Sequence, residues 1–541
     1  MGWTDTCASP RNITPHLWAV LLAGLLALPA TAQQGPLSAN DWLSTGRPPA
    51  NTASAWRPGD PVPPDAARLR PNGPVPKPDL HGPVADSASA VPIGVRRLNA
   101  ADPDGAGIIS ARLAGLPDEF WSGTDLDTAI RMIRANPVLP ASAQVARRVL
   151  EAQLAPPSVP DDSRVGEFFA ARVDRLIDEG ALPSARDLLQ GAGQDGPETF
   201  RRLFDLSLLL GGEEQTCLAM GRSTGITADP AARVFCLAQT GDWDAAAVLF
   251  VGARRLGMVD APMTELLAHY LDDASAETAD TLPLPDPISP LAFRLHEAIG
   301  QPLPTGDLPI GYAWADLEDS SGWKAQLEAA ERLARARALP AGILYQLYSS
   351  QRPAASGGVW ERAAAIQALD GALATEDAAR IGPALVSAFQ RMEQAGLRDS
   401  FAEIVAPRLQ PDALTGDAAH LARWLRLWAG ETEVLRAPDD KLDAALLALA
   451  TGGQLEPLTP ALGALAPIFA TDLPAEPDPA DGIALAPALY GALADADAGT
   501  QGDVTRATRG VRLLRQLGLI ADSRRIATQI ALDPLLKAAA Q

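Results

Sequence analysis

From about residue 105 onward, apolar residues return every three or four positions and almost never in alternation. Phe200, Leu203, Phe204 and Leu208 follow this spacing, and so do Leu421, Trp424, Leu425 and Trp428. Trp323, Leu327, Ala330 and Ala334 line a further stripe. A period of 3.6 residues gathers each set on one face of a helix, whereas a half-buried strand needs a period of two. Runs of β-branched residues bounded by hairpin turns are nearly absent. The pattern therefore demands an all-α fold. Glu328–Arg332 and Glu331–Arg335 stand at i, i+4 and are expected as outward ion pairs.

The helices are expected in pairs. Four stretches share one plan: Gly180-Ala181-Leu182-Pro183-Ser184-Ala185, Gly241-Asp242-Trp243-Asp244-Ala245-Ala246, Gly396-Leu397-Arg398-Asp399-Ser400-Phe401-Ala402 and Gly518-Leu519-Ile520-Ala521-Asp522-Ser523. In each, a helix ends at a glycine that can take the left-handed cap. A small residue then admits a second helix at close range. The block from Gly241 to Ala247 looks like the turn and second-helix entry of a tetratricopeptide repeat, and Ala531-Leu532-Asp533-Pro534 looks like such a repeat's end. The glycine spacings are irregular, so no 34-residue period is established. The expectation is a degenerate, TPR-like helical-pair solenoid.

Composition shifts divide the chain. Residues 1–32 have a secretory pattern: Arg11 in a polar start, the apolar run Leu17–Leu28, then Ala30-Thr31-Ala32 before a mature start at Gln33. That run is shorter than the roughly 20 residues of a spanning helix. Residues 33–104 are expected to be a disordered tether, because thirteen prolines between Gln33 and Pro92 leave too little apolar surface to offset ordering. One apolar island, Leu37 to Leu43 around Trp42, interrupts it. Two helical-repeat lobes, 105–280 and 311–541, are expected on either side of a Pro-rich hinge at 281–310, which holds one short helix, Leu291 to Ile299. Residues 260–293 and 471–503 each carry seven acids and no Lys or Arg. They suit solvated loops or docking surfaces for a basic partner.

Export bears on the cysteines. Cys7 leaves with the signal, so Cys217 and Cys236 remain as an even pair in an oxidising compartment. They stand on two helix-like stretches joined by a Gly/Ser/Thr/Asp/Pro turn, and a disulfide is expected. The alternative is two buried thiols behaving as small apolar residues.

Three sets of segments resemble a known group. These are the opening GAGIISARLAGLPDEFWSGTD, the block ARVFCLAQTGDWDAAAVLF, and the pair GWKAQLEAAERLARARAL and RPAASGGVWERAAAIQALD. They are similar to secreted helical-repeat proteins of alphaproteobacteria, some of which carry the label antifreeze glycopeptide polyprotein-like. The resemblance covers most of residues 105–410. It implies a helical fold and an envelope location, and no activity. Antifreeze glycopeptides use regular Ala-Ala-Thr tracts, which this chain lacks; its Ala lies among Leu and Arg at helical spacing.

Charge and motif tests narrow the chemistry. With 66 acidic and 45 basic residues, the chain carries −21, which opposes binding to nucleic acid. Five His and three Cys, scattered along 541 residues, give no zinc or haem pattern, so no cofactor is expected. Gly221-Arg222-Ser223-Thr224-Gly225 matches the hydrolase elbow, but a helix-like stretch precedes it where a strand is needed. Ser321-Gly322-Trp323-Lys324 matches S-x-x-K without the companion S-D-N and K-T-G, and Ser320 or Ser321 is expected to cap the next helix. His296-Glu297 lacks the second His of a zincin. Asp102-Pro103-Asp104-Gly105 and Asp495-Ala496-Asp497 lack the remaining ligands of a calcium loop. A lytic transglycosylase would need a lysozyme-like domain with an aromatic cleft, and Tyr490 is the only aromatic after Phe469.

One loop is a candidate binding element: Arg352, then Ser356, Gly357, Gly358 and Trp360 entering a helix. Outward amides with Arg352 beside them suit an anion; the same residues also suit an ordinary turn with Trp360 in the core. The sequence thus points to a non-enzymatic periplasmic or secreted protein without a transmembrane anchor, binding another envelope protein or peptide. The alternatives are an enzyme or small-ligand binder with its site near residues 300–360, or a structural spacer in an envelope machine.

Overall fold

The four turn glycines all take the left-handed conformation, with φ of 77° at Gly180, 88° at Gly241, 68° at Gly396 and 81° at Gly518. In a computed structural model of the chain, each separates a helix pair. The pairs are Glu167–Asp178 with Leu182–Gly191, Pro230–Gln239 with Trp243–Arg255, Ala378–Gln394 with Arg398–Val405, and Val504–Gln516 with Ile520–Ala539. The same two backbone bonds close each turn. At the first, Gly180 N donates to Ile177 O and Ala181 N donates to Leu176 O, which satisfies carbonyls that a helix end leaves open.

The structure describes residues 102–193, 196–223, 225–272, 282, 284–318, 320–433, 435–436, 438–469 and 484–541. The expected signal peptide, the tether up to residue 101 with Trp42, and the acidic residues 273–281 and 470–483 lie outside them. The last expected tether residues, 102–104, belong to the folded body. Pro103–Gly105 forms a short 3-10 turn, and the buried Asp104 carboxylate accepts from Gly166 N and Phe169 N to cap the Glu167–Asp178 helix.

The fold is all-α. Among the described residues the strands are Ile109–Ser110 and Ala152–Gln153, two residues each, paired in parallel. The buried Arg172 guanidinium holds this corner together: it donates to the carbonyls of Leu150, Ala152, Asp104 and Ala106. Burial lowers its pKa to about 10. Those carbonyls would otherwise be buried without donors.

One hydrophobic core runs from Ala111 to Leu536, and a smaller one from Phe200 to Leu295 stands beside it. The main core draws on both sides of the Pro-rich 281–310 stretch. Ile288, Leu303 and Leu308 pack against it and Tyr312 Oη donates to Ile288 O, so the described part of that stretch is packed. Its short helix spans Pro290–Ala298. The smaller core encloses the Cys217–Cys236 disulfide.

Four local expectations need correction. Glu331 and Arg335 do pair, at 3.0 Å, but Glu331 is buried, because Tyr348 Oη and the Arg362 guanidinium donate to it as well. Glu328 pairs with Lys324 instead, while Arg332 turns to the carbonyls of Thr305 and Leu308. The N-cap before Trp323 is Gly322, not a serine. Asp533-Pro534 does not end a helix: the Ile520–Ala539 helix runs through Pro534, anchored by buried Leu532 and Leu536.

The early and late helices meet. Pro140–Glu151 begins without a cap of its own. Amides just before and within its first turn are satisfied from far along the chain: the Asp497 carboxylate accepts from Val138 N and Leu139 N, and Gln529 Oε1 accepts from Ala141 N at 3.0 Å. Arg148 pairs with Asp522 at 2.7 Å, and the Trp121 ring stacks on Tyr490. The helix stack therefore closes on itself.

Candidate functional site

The turn after the Trp323–Arg335 helix repeats the glycine turns without a glycine. Arg337 takes φ 56°, Arg337 N donates to Ala334 O, and Ala338 N donates to Leu333 O. These are the bonds made at Gly180 and Ala181. A left-handed conformation costs an L-residue with a Cβ roughly 1–2 kcal/mol. The side chain gives a reason for holding it there: Nη2 donates to Val138 O at 2.7 Å and Nε to Asp399 Oδ2 at 3.1 Å. Asp399 Oδ1 in turn accepts from Trp428 Nε1. One arginine thus ties together the segment before Pro140–Glu151, the end of Trp323–Arg335, and the start of Arg398–Val405.

Three hollows meet at Arg337. The first, about 370 Å³, lies between Gln144, Arg147, Glu179, Asp399, Glu403 and Arg525. The second, about 550 Å³, extends past Val138 towards Arg175, Asp178 and Ile310. The third, about 300 Å³, reaches Glu393, Arg398, Trp428 and Lys537. These volumes match sites that hold small ligands. The first and third exist because the helix stack closes, with walls from early, middle and late segments; the second is walled by early and middle segments.

Most charges in the first hollow are neutralised locally. Glu179 receives Arg147 and Arg175, each at 2.7 Å, and Asp399 receives Arg337. Two are not. Arg525 donates to the neutral Gln144 Oε1 and Ala429 O, and its buried Nε has no acceptor. Glu403 makes no hydrogen bond or ion pair among the described residues. Glu403 is exposed in the hollow; partial desolvation there and the neighbouring Asp399 hold its carboxyl above the usual range, with Arg525 and Arg337 pulling the other way.

The residues singled out from the sequence lie elsewhere. Cys217 and Cys236 form a disulfide across the helices Glu213–Arg222 and Pro230–Gln239. Arg352, Ser356 and Gly358 are exposed in the link between Ala341–Ser350 and Val359–Leu373, and none of them lines the three hollows. Gly357 and Gly358 take positive φ to make the turn, and Trp360 lies half-buried against Trp323, ring centroids 5.0 Å apart. Ser223 directly follows the Glu213–Arg222 helix, without the strand an elbow needs.

His420, Asp440 and Asp443 place potential ligand atoms within 4.8 Å of one another. The buried Asp443 carboxylate, however, already accepts from His420 Nδ1, Arg423 Nη1 and Trp424 Nε1, and Asp440 caps the amides of Leu442 and Asp443. A guanidinium inside the cluster favours the observed network over a cation.

The Arg337 hub had a sequence signal. Arg337-Ala338-Leu339-Pro340 repeats Gly180-Ala181-Leu182-Pro183 with arginine in the glycine position. Comparison of the chain with protein families, curated proteins and solved structures returns no match.

Proposed function

We propose that this is a non-enzymatic recognition protein of the cell envelope, and that the Arg337 hub receives a peptide. The observation that carries the reading is the convergence of three hollows, each lined by charged as well as apolar side chains, on an arginine held in a costly backbone conformation. Such strain persists where surrounding structure holds it, and it concentrates at ligand clamps. The envelope assignment draws on the secretory pattern of residues 1–32 and on the Cys217–Cys236 disulfide. It also agrees with the resemblance to secreted helical-repeat proteins. No helix among the described residues is long and apolar enough to cross a membrane.

Hydrogen exchange on the whole chain, with and without a size-fractionated pool of envelope peptides, tests the reading. Exchange should slow in segments 136–147, 334–340 and 398–403. Slowing confined to other segments, or none at saturating peptide, refutes it.

A further inference from the structure

The first hollow holds two charges whose counter-charges are missing. Arg525 is a guanidinium with only neutral acceptors. Glu403 is a carboxylate without a donor, close enough to Arg525 to feel its charge yet forming no ion pair with it. Around them the charges cancel in pairs, Arg147 with Glu179 and Arg337 with Asp399. The hollow thus carries no net charge among these groups but keeps one unpaired group of each sign. A simple anion would meet Glu403, and a simple cation would meet Arg525. A ligand carrying both charges satisfies both groups at once.

We propose that the hollow binds a short peptide with both ends free, its carboxylate directed to Arg525 and its ammonium to Glu403. This rests on the peptide-binding reading above and deepens it by naming what is recognised. Charge-assisted hydrogen bonds to a guanidinium and a carboxylate are about twice as strong as neutral ones. Side chains of limited size suit the hollow, since Ala143, Ala146, Ala334 and Ala338 also line it. A peptide spans about 3.3–3.6 Å per residue when extended. Two or three residues therefore suit a hollow of about 370 Å³ better than a long segment, whose ends would lie outside it.

Calorimetric titration of the whole chain with three probes decides the matter: L-alanyl-L-alanine, its N-acetyl derivative, and its C-terminal amide. The free dipeptide should bind, and each blocked form should bind at least tenfold more weakly. Glu403→Gln should weaken the free dipeptide similarly and leave the N-acetyl form unchanged. Glu403 holds no structural hydrogen bond, so the variant should keep its fold, which circular dichroism verifies. Equal affinity for free and blocked forms overturns the proposal, and so does failure of the free dipeptide and of trialanine to bind. If these fail while the hub still slows in exchange with the envelope peptide pool, the end-recognition inference falls and the broader peptide reading stands. If both fail, both fall.

Discussion

Removing the Cys217–Cys236 disulfide should loosen one part of the molecule and spare the rest. The bridge joins residues 19 apart and lies inside the smaller of the two cores. In the chain-entropy account, a cross-link closing a loop of about 20 residues stabilises by about 3 kcal/mol at 25 °C. That corresponds to somewhat more than a hundredfold in a local opening equilibrium. The suitable perturbation is Cys217→Ala with Cys236→Ala, which avoids burying two new hydroxyls. Native-state hydrogen exchange is the assay, because it reads individual helices. Protection of Glu213–Arg222 and Pro230–Gln239 should fall by about two orders of magnitude. Protection of Pro140–Glu151, which lies in the larger core, should hold within a few-fold. Reductant added to the unmodified protein should reproduce the change. Unaltered protection in the two cysteine helices would refute the loop-closure reasoning. An equal loss across both cores would refute the separate standing of the smaller one.

Arg337→Gly and Arg337→Ala both lose the contacts to Val138 and Asp399, but only glycine adopts φ 56° freely. The glycine variant should be the more stable by about 1 kcal/mol in urea unfolding, and identical midpoints would contradict a left-handed residue 337. Arg172→Met strands several buried carbonyls and should cost roughly 3–5 kcal/mol; a loss below about 1 kcal/mol would mean that those carbonyls find other donors. His296 is buried with neither ring nitrogen partnered, and burial lowers its pKa below the ordinary 6.5. The unfolded chain therefore binds the extra proton first, so this contribution to stability is complete above about pH 6.5 and declines below it, by at most about 1.4 kcal/mol per pH unit. Asp205, whose carboxyl burial pushes up to about 6, titrates nearby with the opposite sign. The test is accordingly the difference between wild type and His296→Leu from pH 7.5 to 5.5, and parallel profiles would refute it.

Helix content and the positions of the paired turns were legible because both are local. Apolar spacing placed Trp323, Leu327, Ala330 and Ala334 on a buried face, and all four are buried. Glycine placement marked four turns, and all four glycines have positive φ. What depends on distant partners was not legible. No local pattern tells that Asp497 and Gln529 cap a helix starting at Pro140, or that Glu331 points inward to meet Arg362 and Tyr348. The hub lies between these cases. Its backbone motif is written in Arg337-Ala338-Leu339-Pro340, but its walls come from segments hundreds of residues apart. The loop at Arg352 is a glycine-rich helix entry of the kind that suits an anion, a local cue that says nothing about enclosure.

The borrowed cap on Pro140–Glu151 sets an order of assembly. In a chain emerging residue by residue from a ribosome, the Ala141 amide at the start of this helix waits for an acceptor 388 residues further on, Gln529 Oε1. Contacts of such separation form late, because a very long loop must close before they are rewarded. The body therefore stays unlocked until its last helix is available. A product cut short before the Ile520–Ala539 helix would display an open helix start and an unfinished hub, a ready signal for proteolytic disposal.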